Sequence, residues 1–404
     1  TPSSVEFTQE ALFSHNPGFY NQSISLSMNY LYSNNAEIRY TTDGTTPDHT
    51  SSLYQNAISI SKTTVVKARV YEEGYVPGDI ISGTFFINER ERSLPVVSIS
   101  TNPENFFNNT YGIYIDGTNG IPGNCTDNPV NWNRDWERPL HVEIYSPEGK
   151  NVLNQAAGTE VYGGCSRGNP LKSLSIKAKD KYGKGSFECK LFDSKDIDVF
   201  DRFILRNSGN DFYYLMFRDA LMQSLLINTT GVDYQAYQPA VVYLNGEYYG
   251  IMNIREKIDR FYIRANYDMP DGSFDMLEGN AWTVYGSDEG YKKLLNFLIS
   301  HNMSQQSNYE HVKSQIDMDN YMDYMITQIY TANTDWPGNN IKFWKAHKDW
   351  SKWRWITYDL DFGFGLYGSA ASENTLAAAL EPNGPDWPNP PWSTLLFRRL
   401  IRND

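Results

Sequence analysis

Three cysteines in 404 residues are too few to build a disulfide scaffold. Cys125, Cys165 and Cys189 also lack the paired spacing of a zinc site. Spacing alone reads them as free or half-buried thiols, with one bridge in an oxidising compartment as the alternative. No apolar run reaches membrane-spanning length, and no stretch resembles a signal peptide. The chain opens on Thr1 rather than Met, as expected of a mature or trimmed form. Cationic residues are in deficit: 35 Lys and Arg against 48 Asp and Glu leave a net charge of −13. That balance argues against a nucleic-acid or anionic-membrane surface. What is abundant is apolar and aromatic, 40% and 15% of residues, enough for large cores rather than disorder. The length favours two domains. High Asn, Tyr, Trp and Gly with few Cys fits an exported bacterial protein, so an extracellular or cell-surface location is expected.

Residues 1–88 read as an all-β domain. Short alternating segments (Ser23–Met28, Glu37–Tyr40, Ile58–Ser61, Val65–Tyr71, Gly83–Ile87) are separated by turn clusters such as Asp43-Gly44-Thr45-Thr46-Pro47-Asp48. That spacing predicts a β-sandwich of immunoglobulin-like size. Asp43 and Asp48 are expected to form turns through Asx hydrogen bonds rather than to bind calcium. The run IRYTTDGTTPDHTSSLY, followed by TTVVKARVYEEGY, resembles the sandwich module of chitobiase and β-hexosaminidase-type enzymes. A cell-surface glycan or protein is the partner that this resemblance suggests for it.

A charged connector, Glu89–Ser93, precedes a second domain, 94–404. Strands are expected at Leu140–Tyr145, Gly158–Tyr162 and Ser173–Ala178, with a long ordered loop across 111–137. Helical spacing appears at Tyr213–Leu226. Asn245-Gly246 joins Ala240–Leu244 to Tyr248–Ile254, a strong hairpin signal. Two further helical patterns, Gly290–Ser300 and Met318–Tyr330, lead into the most informative stretch, NTDWPGNNIKFWKAHKDWSKWRWITYDLDFGFG from Asn333. It reads as a helix, a polar loop, a hairpin and a carboxylate pair at a strand end. Asp335 and Asn340 have the D-x-x-x-x-N spacing of a kinase catalytic loop, and Asp361-Phe362-Gly363 repeats the metal-binding tripeptide. The tripeptide alone is a weak signal; the ordered set is much stronger.

The blocks AAGTEVYGGCSRGNPLKSLSIKAKDKYGKGSFECKLF, FDRFILRNSGNDFYYLMFRDAL and PAVVYLNGEYYGIMNIREKIDRFYI, with the stretch above, resemble the CotH family of spore-coat-type atypical kinases. The likeness runs from about Leu94 to the end, and the last segment, 392–404, reads as the start of a helix that continues beyond it. The fold class implied is α+β: a two-lobed atypical protein-kinase-like domain behind an immunoglobulin-like β-sandwich. The implied activity is transfer of the ATP γ-phosphoryl group to Ser or Thr of an exported protein, with Mg²⁺ or Mn²⁺.

The chemistry assigns the residues. Asp335 is the expected catalytic carboxylate, orienting or accepting the proton of the substrate hydroxyl. Asp361 is the expected metal ligand, with Asn340 as a neutral oxygen donor and Asn339 as its adjacent alternative. Asp359 joins Asp361 on one face if the strand persists through both. Lys172, then Lys177, are the expected phosphate-contacting lysines, near Gly163, Gly164 and Gly168. Glu256 is the cleft acid expected to pair with a lysine or meet the nucleotide. Arg218 and Asp219 are read as a supporting or merely local ion pair. Asn333 and Thr334 stand where an ordinary kinase has histidine and arginine, so that scaffolding must come from elsewhere. Two other classes compete: a catalytically degenerate adhesion or scaffold protein, and a glycoside hydrolase. The second needs two carboxyl groups facing across a sugar cleft, and nothing in the motif order supports it.

Overall fold

The computed structural model describes residues 6–89, 93–123, 125–368, 371–381 and 388–401; most of the charged connector lies outside them. An N-terminal β-rich module precedes a mixed α/β body, and the chain divides into two compact units. The first comprises Thr1–Cys189, Asp198–Asn207 and Gln238–Ile254; the second comprises Lys190–Ile197, Ser208–Tyr237 and Arg255–Asp404.

In the first unit the N-terminal module is a five-stranded sheet in the order Gly18–Tyr20, Ile81–Ile87, Thr64–Tyr71, Glu37–Thr41, Ser52–Leu53, with two-stranded pieces beside it. Leu26, Ile38, Ile60, Val66, Val70 and Phe85 form its core. The turn aspartates act as expected: Asp43 Oδ1 accepts from Thr45 N at 3.0 Å, and Asp48 Oδ1 from Thr50 N at 2.8 Å. Strand Ile81–Ile87 is buried on both faces, which its period-2 alternation explains. Phe85 points into the module's own core, whereas Phe86 packs on Tyr145 and Tyr243 of the following barrel. Thr84 N donates to the buried Glu143 carboxylate at 3.2 Å.

That barrel is closed by seven strands in the order Val96–Ser100, Arg138–Tyr145, Asn151–Tyr162, Ser173–Lys177, Arg202–Arg206, Glu247–Arg255, Tyr237–Leu244. The last pairs parallel with the first. The expected hairpin turn is present: Asn245 and Gly246 both take left-handed conformations, φ 51° and 84°. The 111–137 segment is ordered by Asn131, which is fully buried. Its side chain donates to Asn109 O and Gly112 O and accepts from Asn119 N. The free-thiol reading fails for two cysteines. Cys125 and Cys165 are bridged, with Cα atoms 5.1 Å apart across 40 residues of sequence. The pair Ile121–Gly123/Thr126–Val130 carries Cys125, and only the folded loop brings it to the turn that carries Cys165. Cys189 stays a buried thiol, pushed up to about 12 by desolvation.

His141, on the second barrel strand, carries a pH dependence. Burial lowers it from 6.5 to about 4, a hydrogen bond with Asn154 opposes the shift, and Lys67 adds to it. Between those values the unfolded chain holds a proton that the folded one does not, so stability falls as pH drops through that window. The loss expected is about 2–3 kcal/mol. Glu143, raised by burial, trends the other way. The comparison that isolates the histidine is therefore thermal unfolding of His141→Gln against the native chain between pH 7 and 4. The variant should lose less stability across that range; parallel curves would remove His141 as the cause.

In the second unit a five-stranded sheet has the order Asp233–Tyr234, Arg354–Thr357, Lys342–Ala346, Phe274–Glu278, Trp282–Tyr285. Helices Glu289–Ser300 and Met318–Tyr330 supply Leu294, Leu298, Tyr321, Tyr324 and Met325 to a core shared with Phe343, Trp353 and Trp355. Asp317 caps the second of these helices, its Oδ1 accepting from Asn320 N at 3.2 Å. One helix is shorter than its periodicity suggested: it starts at Arg218, not Tyr213. Buried Asp211 captures the backbone N–H groups of Leu215 and Arg218, and Met216 turns to φ 59°. Tyr213, Tyr214, Leu215 and Phe217 are consequently exposed rather than on a buried helical face.

Candidate active site

Helix Met318–Tyr330 ends where Ala332 takes φ 51°, and the chain turns into the Asp335 loop. Asp335 is buried, and its Oδ2 accepts from Asn340 Nδ2 at 2.7 Å and from Asn339 Nδ2 at 2.9 Å. Both asparagines that the spacing offered are thus placed on the same carboxylate. Asn340 sits at φ 55°, a conformation that Asn adopts more readily than most residues.

Asp361 is buried at 1% exposure, and its Oδ2 accepts from Asn210 N at 2.8 Å. Two neighbouring residues of the helix Arg218–Leu226 also hold its loop. Asp219 Oδ1 accepts from Leu360 N at 2.9 Å, while Asp219 Oδ2 meets Arg255 at 2.6 Å. Arg218 donates to Phe364 O at 2.8 Å and Gly363 O at 3.3 Å, and pairs with Asp211. Gly363 packs closely on that helix, since a Cβ there would come within 2.7 Å of Met222 Sδ and the methionine side chain would have to shift. The expected Arg218–Asp219 pair is therefore two pairs with other partners. Adjacent residues leave a helix in different directions, so each reaches its own ion.

Two connections bring the loops together. Phe364 N donates to Thr331 O at 2.7 Å, joining the Asp361 loop to the start of the Asp335 loop. The antiparallel ladder Lys342↔Ile356 also puts Asn340 and Tyr358 just past the same end of one hairpin. Asp359 departs from expectation. The strand stops at Thr357 and Asp359 adopts φ 55°, so strand alternation does not put it on one face with Asp361. Asp359 is only partly buried, unlike Asp361.

Residues 160–404 match the family described as CotH kinase protein. The chain belongs to the CotH kinase family. Residues 15–82 match the chitobiase/beta-hexosaminidase C-terminal domain. A comparison with curated proteins gives no match.

In this CotH chain the expected phosphate lysines belong to the first unit, and both have partners there. Lys172 Nζ donates to Arg167 O at 2.5 Å and Asn169 O at 3.2 Å, over the Trp132 ring at 4.8 Å. Burial brings its pKa down to about 8. Lys177 pairs with Glu160 at 2.5 Å and Glu137 at 3.4 Å. Three lysines and Tyr182 hold Glu137 down to about 2 against the opposing effect of burial.

Glu256, in the second unit, is not the opening carboxylate of a helix; the next helix is capped by Asp259. Glu256 pairs instead with Lys195 at 2.6 Å and accepts from Ala236 N at 2.9 Å and Asn266 Nδ2 at 2.7 Å. Sequence reading missed Lys195, Asn210, Asp211 and Arg255. Arg255 beside Glu256 at the end of an apolar strand was the one available signal: two adjacent charges there, both buried, need separate partners.

Proposed function

We propose that this chain is an ATP-dependent phosphotransferase, an atypical kinase acting on Ser or Thr of an exported or surface protein. Family membership supports the kinase reading. The observation that carries it further is the meeting of the Asp335–Asn340 loop with the Asp361 loop at Thr331 and Phe364. In this reading the C-terminal body is a two-lobed kinase-like domain and the N-terminal module an immunoglobulin-like sandwich. Any glycan or protein bound by that module must use a face other than the one carrying Thr84 and Phe86, which the barrel covers. The Cys125–Cys165 bridge supports export.

The donor set fits a hard divalent cation. Among the described residues no group of three or more His, Cys, Asp or Glu forms a metal cage. Mg²⁺ and Mn²⁺ sites in phosphoryl transfer instead combine one or two carboxylates with phosphate and water. Asp361 would hold the ion, with Asn340 and Asp359 as further oxygen donors; bound there, it neutralises charge on the transferring group. Asp335 orients the acceptor hydroxyl and takes its proton as oxygen attacks the γ-phosphorus and the bond to the ADP oxygen breaks. Lys172 and Lys177 reach phosphate only by exchanging their present partners, two carbonyls for one and two carboxylates for the other. Lys172, which has no direct carboxylate pair among the described residues, is the better candidate.

The test is thermal unfolding with ATP, with Mn²⁺ and with both. The pair should raise the melting temperature by more than the two separate shifts combined, and Asp361→Asn should abolish the excess. No synergy in the native chain at millimolar ligand would favour a degenerate scaffold.

A further inference from the structure

We infer that Gln328 is a positioning residue for Asp335, acting through Asn333; the catalytic part of this inference rests on the function proposed above. Helix Met318–Tyr330 directs Tyr321, Tyr324 and Met325 into the core, and Gln328 occupies the next place on the same stripe at 0% exposure. An amide there costs about 1–3 kcal/mol unless its hydrogen bonds are made. It makes one that matters to the loop: Gln328 Oε1 accepts from Asn333 Nδ2 at 2.9 Å. Asn333 is itself buried, and its backbone N donates to Gln328 O at 3.2 Å. The other end of the Asn333 amide, Oδ1, accepts from Asp335 N at 3.1 Å, while its backbone oxygen accepts from Trp336 N at 3.3 Å. One carboxamide therefore ties the last turns of a core helix to the backbone of the residue that meets the acceptor.

The surroundings agree with a polar role. Behind the loop the Gln328 and Trp336 side chains both lie beside the buried Tyr324 hydroxyl, so the far end of the Gln328 amide faces polar groups as well. Here Gln328 and Asn333 supply the scaffolding for which Asn333 and Thr334 left no histidine or arginine.

Gln328→Met keeps length and volume but removes the acceptor; Gln328→Glu keeps an oxygen toward Asn333. In Gln328→Met, hydrogen exchange at the Asp335 and Trp336 amides should quicken by about tenfold or more, while the helix amides upstream of Gln328 keep their protection. Phosphoryl transfer should fall by about 10- to 100-fold, the scale expected for a misplaced catalytic group. Affinity for ATP with Mn²⁺ should stay within about twofold, and Gln328→Glu should recover most of the transfer. Unchanged exchange at Asp335 overturns the inference, as does faster exchange along the whole helix, which marks a merely structural role. If the native chain transfers no phosphate, the proposed function fails, and the exchange comparison still decides whether Gln328 holds Asp335. Should Gln328→Met not fold, Asn333→Asp is read the same way, since it keeps Oδ1 but has no Nδ2 donor.

Discussion

Asp335→Asn is expected to lower phosphoryl transfer by about two to four orders of magnitude, the range for loss of a positioned general base. The change is nearly isosteric, and Asn339 and Asn340 can still donate to the retained side-chain oxygen. The loop should keep its shape, and nucleotide affinity with Mn²⁺ should stay close to native. Charge and proton acceptance are what disappear. Label transfer and calorimetric nucleotide binding, measured on the same preparation, separate the possibilities. Native-level transfer removes Asp335 from the mechanism. Loss of nucleotide affinity equal to the loss of transfer reassigns it to binding. Asp361→Asn should show the opposite balance, losing metal-dependent affinity together with turnover.

Arg255→Met should cost about 3–5 kcal/mol of folding stability, the usual penalty for leaving a buried charge without its partner. Arg255 is 1% exposed and Asp219 3%, so water cannot replace the guanidinium that reaches Asp219 at 2.6 Å. Arg255 also donates to Ala236 O at 3.1 Å and Gln235 Oε1 at 2.7 Å, acceptors that lose a donor in the same step. Asp219 holds Leu360 N, next to Asp361, so the damage should extend to the Asp361 loop. Urea unfolding followed by tryptophan fluorescence gives the cost, and ATP–Mn²⁺ binding gives the functional consequence. The double variant Arg255→Met with Asp219→Asn should recover part of the stability, because it removes both charges. A midpoint shift equivalent to less than about 1 kcal/mol for Arg255→Met would show that water reaches Asp219 after all.

Features written in local spacing were legible beforehand. The Asn245-Gly246 turn needs two consecutive left-handed residues, and both are there. Helices Glu289–Ser300 and Met318–Tyr330 follow their apolar stripes to within a residue. The Asp335–Asn340 pair is short-range, and its hydrogen bond forms within the loop that the spacing defines. Where a local pattern had a second explanation, the reading slipped. Tyr213 to Phe217 have helical spacing, yet Asp211 competes for the backbone and the residues stay on the surface. Asp359 has strand spacing relative to Asp361, but the strand has already ended.

The sequence by itself determined the order of modules, the family, and the loops that carry Asp335, Asn340 and Asp361, because each is encoded by residues near one another in the chain. Only the tertiary structure decided the partners of the buried charges. Lys195 meets Glu256 across 61 residues, Arg255 meets Asp219 across 36, and Asn210 meets Asp361 across 151. Cys125 finds Cys165 for the same reason. A charge or thiol is compatible with many neighbours in sequence. Desolvation makes almost all of them unfavourable in the interior, so the pairing is set by which groups the folded chain brings within hydrogen-bonding distance.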